Sequence, residues 1–376
     1  MKIKQYFGAG ILAISLWVGG GSLAQEALPL TAETQFRNGP ARTGFYESPP
    51  ILEAPSLVWA YDLPRPSRTT AAVADGRVYV GAENGVLSAL DVQTGALIWE
   101  FKDGSRPWVA TAAMAGGRVY VGSLNKTFYA LEAATGAELW RYQTEGAIYS
   151  SPLLWEGVVY FGSGDGALYA LEASTGALRW QYQTGEGIFS SPAGAGEAVY
   201  VASQNGSVYA LQAATGELLW SRALSDSLDA TPALGESLLY IGDKGGNFYA
   251  LSLADGSVRW SVELGSEIYA SAALGPEAVY VHGIDGHLLA LSPFSGTEFW
   301  SFELGGPAYA SPITDGQVVY AITEAGGRLY ALEAQTGEAL WDYQTGREGD
   351  FRSANPVLLG GYLFMASNSE GLLVLR

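Results

Sequence analysis

Eight tryptophans fall on one spacing. Trp59, Trp99, Trp140, Trp180, Trp220, Trp260, Trp300 and Trp341 stand 40, 41, 40, 40, 40, 40 and 41 residues apart. No other feature limits the fold as strongly, because such a period marks one structural unit used repeatedly. Three more ladders run in phase. Tyr79, Tyr120, Tyr160, Tyr200, Tyr240, Tyr280, Tyr320 and then Phe364 form one. An Ala-Leu pair at Ala89, Ala130, Ala170, Ala210, Ala250, Ala290 and Ala331 forms another, ending as Val374-Leu375. The last is a turn glycine at Gly95, Gly136, Gly176, Gly216, Gly256, Gly296 and Gly337.

One unit reads as four short strands: residues 149–154, 158–162, 167–172 and 177–182. Apolar and polar residues alternate with period two, and β-branched and aromatic residues dominate, which is a strand pattern. Gly157, Asp165-Gly166 and Thr175-Gly176 supply turns where positive φ is needed. Four strands in about 40 residues make one propeller blade. A solenoid would leave edges open, whereas radial closure protects them.

The blade count closes on itself. The last unit has strands near Asn355-Pro356, at Tyr362–Ala366 and at Leu372–Leu375, and then the chain ends without a fourth. The spare strand, Leu57–Tyr61, stands ahead of the first complete unit. The expected fold is all-β: an eight-bladed β-propeller of four-stranded antiparallel blades, its ring closed by an N-terminal strand completing the last blade. Leu57 to Arg376 is 320 residues, eight times 40. Length alone suggests two or three domains; the repeat reduces them to one ring at 57–376, preceded by a lead-in at 25–56.

Residues 1–24 read as a signal peptide. Lys2 and Lys4 precede the apolar run Phe7–Val18, and Ser22-Leu23-Ala24 offers small residues before a cut. The run is shorter than the roughly 20 residues a span needs. An uncleaved anchor is the alternative. The reading places the protein in the periplasm or outside the cell, with no transmembrane span after signal removal.

Composition excludes several functions. There is no Cys, hence no disulfide, thiolate metal site or Cys-anchored lipid. With 38 acids against 20 bases the formal charge is −18, which argues against nucleic acid as a partner. His282 and His287 lie across one hairpin, but two ligands do not make a metal site. No phosphate loop or nucleophile elbow is visible.

The stretch Ala130-Leu131-Glu132-Ala133-Ala134-Thr135-Gly136-Ala137-Glu138-Leu139-Trp140 resembles the tryptophan-docking repeat of the pyrroloquinoline-quinone (PQQ)-like propellers. Residues 169–180 and 330–341 match it nearly as well, and the likeness covers about residues 57–376. Phe36-Arg37-Asn38-Gly39-Pro40-Ala41-Arg42-Thr43-Gly44 resembles a lead-in that precedes such propellers. Two branches of that family bear on function. Quinoprotein alcohol dehydrogenases hold PQQ and calcium in longer loops, many under an adjacent-cysteine disulfide. The propeller subunit of the outer-membrane barrel-assembly machine is a scaffold of similar length. The short loops at Glu83-Asn84-Gly85, Gln204-Asn205-Gly206 and Ile284-Asp285-Gly286, and the missing Cys, bring this chain closer to the scaffold. The missing Cys also departs from that subunit, which a lipidated Cys usually tethers. The resemblance therefore implies no cofactor, with PQQ plus calcium disfavoured.

A site is sought where the repeat breaks its own pattern. Three residues before the first-strand proline the ring reads Arg68, Val109, Tyr149, Phe189, Asp229, Tyr269, Tyr309 and Ser353. One position earlier it reads Ser67, Trp108, Ile148, Ile188, Leu228, Ile268, Ala308 and Arg352. Arg65, Arg68, Arg106 and Arg352 form a basic sector opposite Glu145, Glu186, Asp226, Asp229 and Glu267. Exposed aromatics with arginine are what interface hot spots use. The partner-binding set is then Arg65, Arg68, Arg106, Trp108, Tyr149, Phe189, Asp229, Tyr269, Tyr309 and Arg352. The other reading is that these rings seal the channel mouth while the charges solvate it. The expected function is a non-catalytic scaffold, a monomer within a complex, that binds an envelope or outer-membrane protein or an extended peptide at the channel mouth. A PQQ-dependent oxidoreductase and a carbohydrate-binding or glycan-processing propeller are the alternatives. For the latter, Asp226, Asp229 and Glu267 would supply paired carboxylates.

Overall fold

The computed structural model describes residues 34–104, 107–345, 347, 350 and 354–376. The expected signal peptide, Arg106, Arg352 and Ser353 lie outside these residues. Among them are eight four-stranded antiparallel sheets arranged as blades. Blade 1 comprises Ala72–Ala74, Arg77–Gly81, Val86–Asp91 and Leu97–Lys102, and blades 2 to 7 repeat it. Blade 8 comprises Val357–Leu359, Tyr362–Ser367 and Gly371–Leu375, completed by Leu57–Tyr61 pairing antiparallel to the last of these. The closing strand is the one expected from sequence.

The first strands differ from expectation. In blade 3 the strand is Leu153–Trp155 rather than 149–154. Residues 149–152 lie outside the sheet: Tyr149 and Ser151 line the channel mouth, and the Ser151 N–H donates to Ser191 Oγ of the next blade.

Seven of the eight repeated tryptophans join two blades directly. The indole N–H donates to a carbonyl in a turn of the next blade, as in Trp99 to Ala133 at 3.0 Å and Trp180 to Ala213 at 2.9 Å. The repeated tyrosine reaches the same carbonyl: Tyr160 donates to Ala213 at 3.1 Å. The turn must offer a flat surface to the indole, so its glycine has no substitute. A Cβ on Gly176, at φ 73°, would lie 2.6 Å from the Trp140 ring. The tryptophan enters the core through a bulge that skips one residue before it, as between Ala170 and Leu171 opposite Trp180. The two residues ahead of the tryptophan therefore face solvent, as Leu218 and Leu219 do.

Blade 8 lacks the turn that would receive Trp341. The lead-in supplies it. Trp341 donates to the Ile51 carbonyl at 2.7 Å, and the Ile51 N–H donates to the Tyr320 hydroxyl at 2.9 Å. Ring closure thus rests on two segments, the closing strand and Ile51.

Candidate functional site

The channel wall is built from a belt of hydroxyls one residue before the first-strand proline position. The Thr111 N–H donates to Ser151 Oγ at 2.9 Å, Ser151 to Ser191 at 3.0 Å, Ser191 to Thr231 at 3.0 Å and Thr231 to Ser271 at 3.0 Å. Ser271 continues to Ser311, Ser311 to Asn355 Oδ1 and Asn355 to Thr70. Seven of the eight blades thus have this amide satisfied by the next blade's side chain, which makes the wall polar yet bonded from blade to blade.

The lead-in seals the channel on the side of the first-strand carboxyl ends. It visits inner-edge strands in order. Thr34 pairs with Met114, the Gln35 amide with Leu154, and Gly194 donates to Pro40. Leu234 then donates to Ala41, Leu274 to Thr43 and Thr314 to Gly44. Edges left open by blades 2 to 7 are capped by one strap. Arg37 and Arg42 anchor it, both fully buried. Arg42 Nε donates to Pro192 at 2.9 Å, Nη1 to Phe36 at 2.6 Å and Nη2 to Pro152 at 2.7 Å. Arg37 donates to Ala272, Pro312 and Arg42 carbonyls. Burial pushes both guanidiniums below their ordinary range, Arg42 to about 9 and Arg37 to about 10.

Above this plug the opposite channel mouth opens as a funnel of about 290 Å³, with Phe36 of the strap in its lining. Arg68, Val109, Tyr149, Phe189, Asp229, Tyr269 and Tyr309 line it, above the hydroxyl belt. Of the ring expected from sequence, all seven described members converge here. Two aromatic pairs form: Tyr149 with Phe189 at 4.4 Å between centroids, and Tyr269 with Tyr309 at 6.1 Å. Tyr149 and Tyr309 are each 39% exposed.

The charges are less free than the basic-versus-acidic sectors suggest. Arg68 bonds Glu83 at 2.7 Å. Asp229 is held by Lys244 at 2.7 Å and by the Gln204 amide at 3.2 Å. Lys244 also lies 5.4 Å from the Tyr269 ring centroid. The Tyr269 hydroxyl donates to Glu267 at 2.7 Å, and this carboxylate, aided by burial, pushes the phenol up to about 12. Arg65 is exposed but does not line the funnel.

Trp108 corrects the expectation of an exposed rim residue. It is fully buried, packed at Gly81 and against Phe101 and Tyr129. Its equivalents Ile148, Ile188 and Ile268 fill the same place against Gly122, Gly162 and Gly242. That position belongs to the seam between blades. Lys244, Glu83 and Phe36 were missed; each is a single departure within one loop or lies in the strap, where no period points to it. The two histidines stay apart in role. His282 is buried between the Gly283 and Ala310 carbonyls, and burial lowers its pKa; His287 pairs with Glu303.

The funnel does not fit a calcium–quinone pair. Among the described residues no three Asp, Glu or His side chains converge as a metal site. Among the described residues the one carboxylate lining the funnel, Asp229, is already engaged by Lys244.

Fold and repeat define an eight-bladed propeller of the PQQ-like class. The family model described as outer membrane protein assembly factor BamB matches residues 53–113, 105–225, 184–283 and 262–376, so the chain belongs to that family. Among solved structures it is similar to BamB from Moraxella catarrhalis, at TM-score 0.73 and 18% identity, over 86% of this chain and 100% of that one. It is also similar to quinohemoprotein alcohol dehydrogenase from Comamonas testosteroni, at TM-score 0.79 and 19% identity, over 92% and 80% of the two chains. A computationally designed protein, Ika8, shares the fold at TM-score 0.75 and 16% identity, over 85% of this chain and 98% of that one. No curated protein sequence matches. Among the described residues no helix is long and apolar enough to cross a membrane.

Proposed function

We propose that the protein is an exported, non-catalytic scaffold of the cell envelope, directed there by residues 1–24, which binds a protein partner at the funnel in the service of outer-membrane protein assembly. Membership in a family described by such an assembly factor supports the setting. The observation that carries the reading is the funnel itself: two aromatic pairs, half-open to solvent, beside the Asp229–Lys244 and Arg68–Glu83 pairs, over a sealed floor. Preorganised aromatics flanked by fixed charges suit an inserted partner loop or extended peptide. The test is capture from an envelope extract by immobilised full-length protein and by a Tyr149→Ala/Tyr309→Ala variant. The reading expects a discrete partner retained by the first and lost by the second. Equal capture by a folded double variant would remove the funnel from the account. Purified protein with PQQ and calcium is expected to show neither a quinone absorbance shift nor dye reduction.

A further inference from the structure

The face opposite the funnel carries a second feature. Phe294 is 87% exposed, more than any other large apolar side chain among the described residues. It sits in the turn between third and fourth strands of blade 6. The equivalent turns carry Gln93, Ala134, Ser174, Ala214, Ala254 and Gln335. A lone exposed phenylalanine needs no explanation, but this one lies inside a continuous track. It lines a groove of about 920 Å³ between blades 4 and 5 and another of about 360 Å³ between blades 5 and 6. Glu236 and Leu238 line both. Pro276 joins the second groove to a third, of about 580 Å³, beside Phe299. Phe299 is 56% exposed and Leu219, in the first groove, is 53% exposed, both at the bulge before a tryptophan.

The track is acidic at its rim. Glu197, Glu236, Glu277 and Glu298 line the three grooves, against one base, Arg259. Among the described residues none of the four carboxylates is ion-paired. An apolar floor with a negative rim is complementary to an apolar segment that carries positive charge. It repels anionic lipid headgroups, which rules against a membrane surface as the occupant.

We infer that blades 4 to 7 dock a cationic amphipathic segment of a partner protein on this face, with Phe294 as the central anchor. The surface is separate from the funnel, so a partner could be held on both faces of the ring at once.

The experiment uses the full chain and a fluorescein-labelled 18-residue Leu/Lys amphipathic peptide, read by anisotropy at low salt. Saturable binding is expected, weakened about tenfold or more by Phe294→Ser, a loss of the order an interface anchor carries. Glu236→Gln/Glu277→Gln should weaken it similarly and flatten its salt dependence. Phe294→Ser should melt with the parent because the side chain packs little. Tyr149→Ala/Tyr309→Ala, on the other face, should bind as the parent does, so failure here and failure of the funnel reading are separable. No binding, equal binding by Phe294→Ser, or equal binding of a Leu/Glu peptide overturns the inference. So does Phe294-dependent dimerisation in sedimentation equilibrium, which would make a second copy the occupant. Phe294-dependent pelleting with phosphatidylglycerol vesicles would make it a membrane, and overturns it too.

Discussion

Arg42→Met tests whether the strap holds the ring. The substitution keeps much of the side-chain volume and removes three donors. Pro192, Phe36 and Pro152 each lose a partner at 2.9, 2.6 and 2.7 Å. An under-satisfied buried carbonyl costs about 1–3 kcal/mol, and the low end applies because a carbonyl has a second lone pair. Three such losses sum to about 3 kcal/mol. Relief from burying a charge acts in the opposite direction. The account holds that the bonds win, because four wall carbonyls, those of Pro152, Pro192, Ala272 and Pro312, already point at the two guanidiniums. For a chain of this size the unfolding entropy near Tm is about 0.7 kcal/mol per kelvin. Calorimetry should therefore show Tm lowered by about 4 °C. Hydrogen exchange localises the effect: the Gly194, Leu234, Leu274 and Thr314 amides, which donate to the strap, should lose protection before the outer strands do. A variant that melts at or above the parent, with these amides still protected, would refute the reasoning.

Four further outcomes follow from the same geometry. Trp180→Ala removes a buried indole and its bond to Ala213, and chemical denaturation should show a loss of about 3–5 kcal/mol. Gly176→Ala forces positive φ on an alanine and drives its Cβ into Trp140; it should cost about 2 kcal/mol or more, while Gly185→Ala, at φ 100° with open space around it, pays only the backbone strain. Trp108→Ala should lower Tm without a specific effect on partner capture, whereas Tyr149→Ala should do the reverse, because the first is core and the second is funnel wall. Burial raises Tyr46, Tyr79, Tyr160, Tyr240 and Tyr280 to about 12. Unfolded tyrosine ionises near pH 10, so the folded state holds more protons between pH 10 and 12. Stability present below pH 10 should fall across that window. The lowered Arg37 and Arg42 act in the opposite sense, two groups against these five tyrosines and Tyr269, which is raised likewise. A melting-temperature profile that stays flat to pH 12 would contradict the assignment.

The ring was legible because its determinants repeat. Tryptophan, tyrosine and turn glycine recur at one spacing, since each joins a blade to the next in the same way, and the missing fourth strand could be matched to Leu57–Tyr61. The hydroxyl belt at Ser151, Ser191, Thr231, Ser271 and Ser311 was equally periodic and readable in retrospect. Trp108 was misplaced because it varied while its neighbours repeated. Its own column, Ile148, Ile188, Leu228 and Ile268, is apolar and marks core. The strap resisted reading for a different reason. Arg37 and Arg42 are charged residues outside the period, and their carbonyl partners lie from 5 to 275 residues away. Charge alone places an arginine at the surface; only the closed ring offers it carbonyls to bury against. Lys244 and Glu83 neutralise Asp229 and Arg68 through loop geometry that no spacing encodes.

The most direct measurement is site-specific photocrosslinking in intact cells. p-Benzoylphenylalanine replaces Phe189 or Tyr309 in the funnel, and Gln93, an exposed turn residue of blade 1 outside both the funnel and the track on blades 4 to 7, serves as control. The scaffold account predicts a discrete adduct to the same envelope protein from both funnel positions and none from Gln93. Adducts absent from the funnel, or formed alike from all three positions, would contradict it.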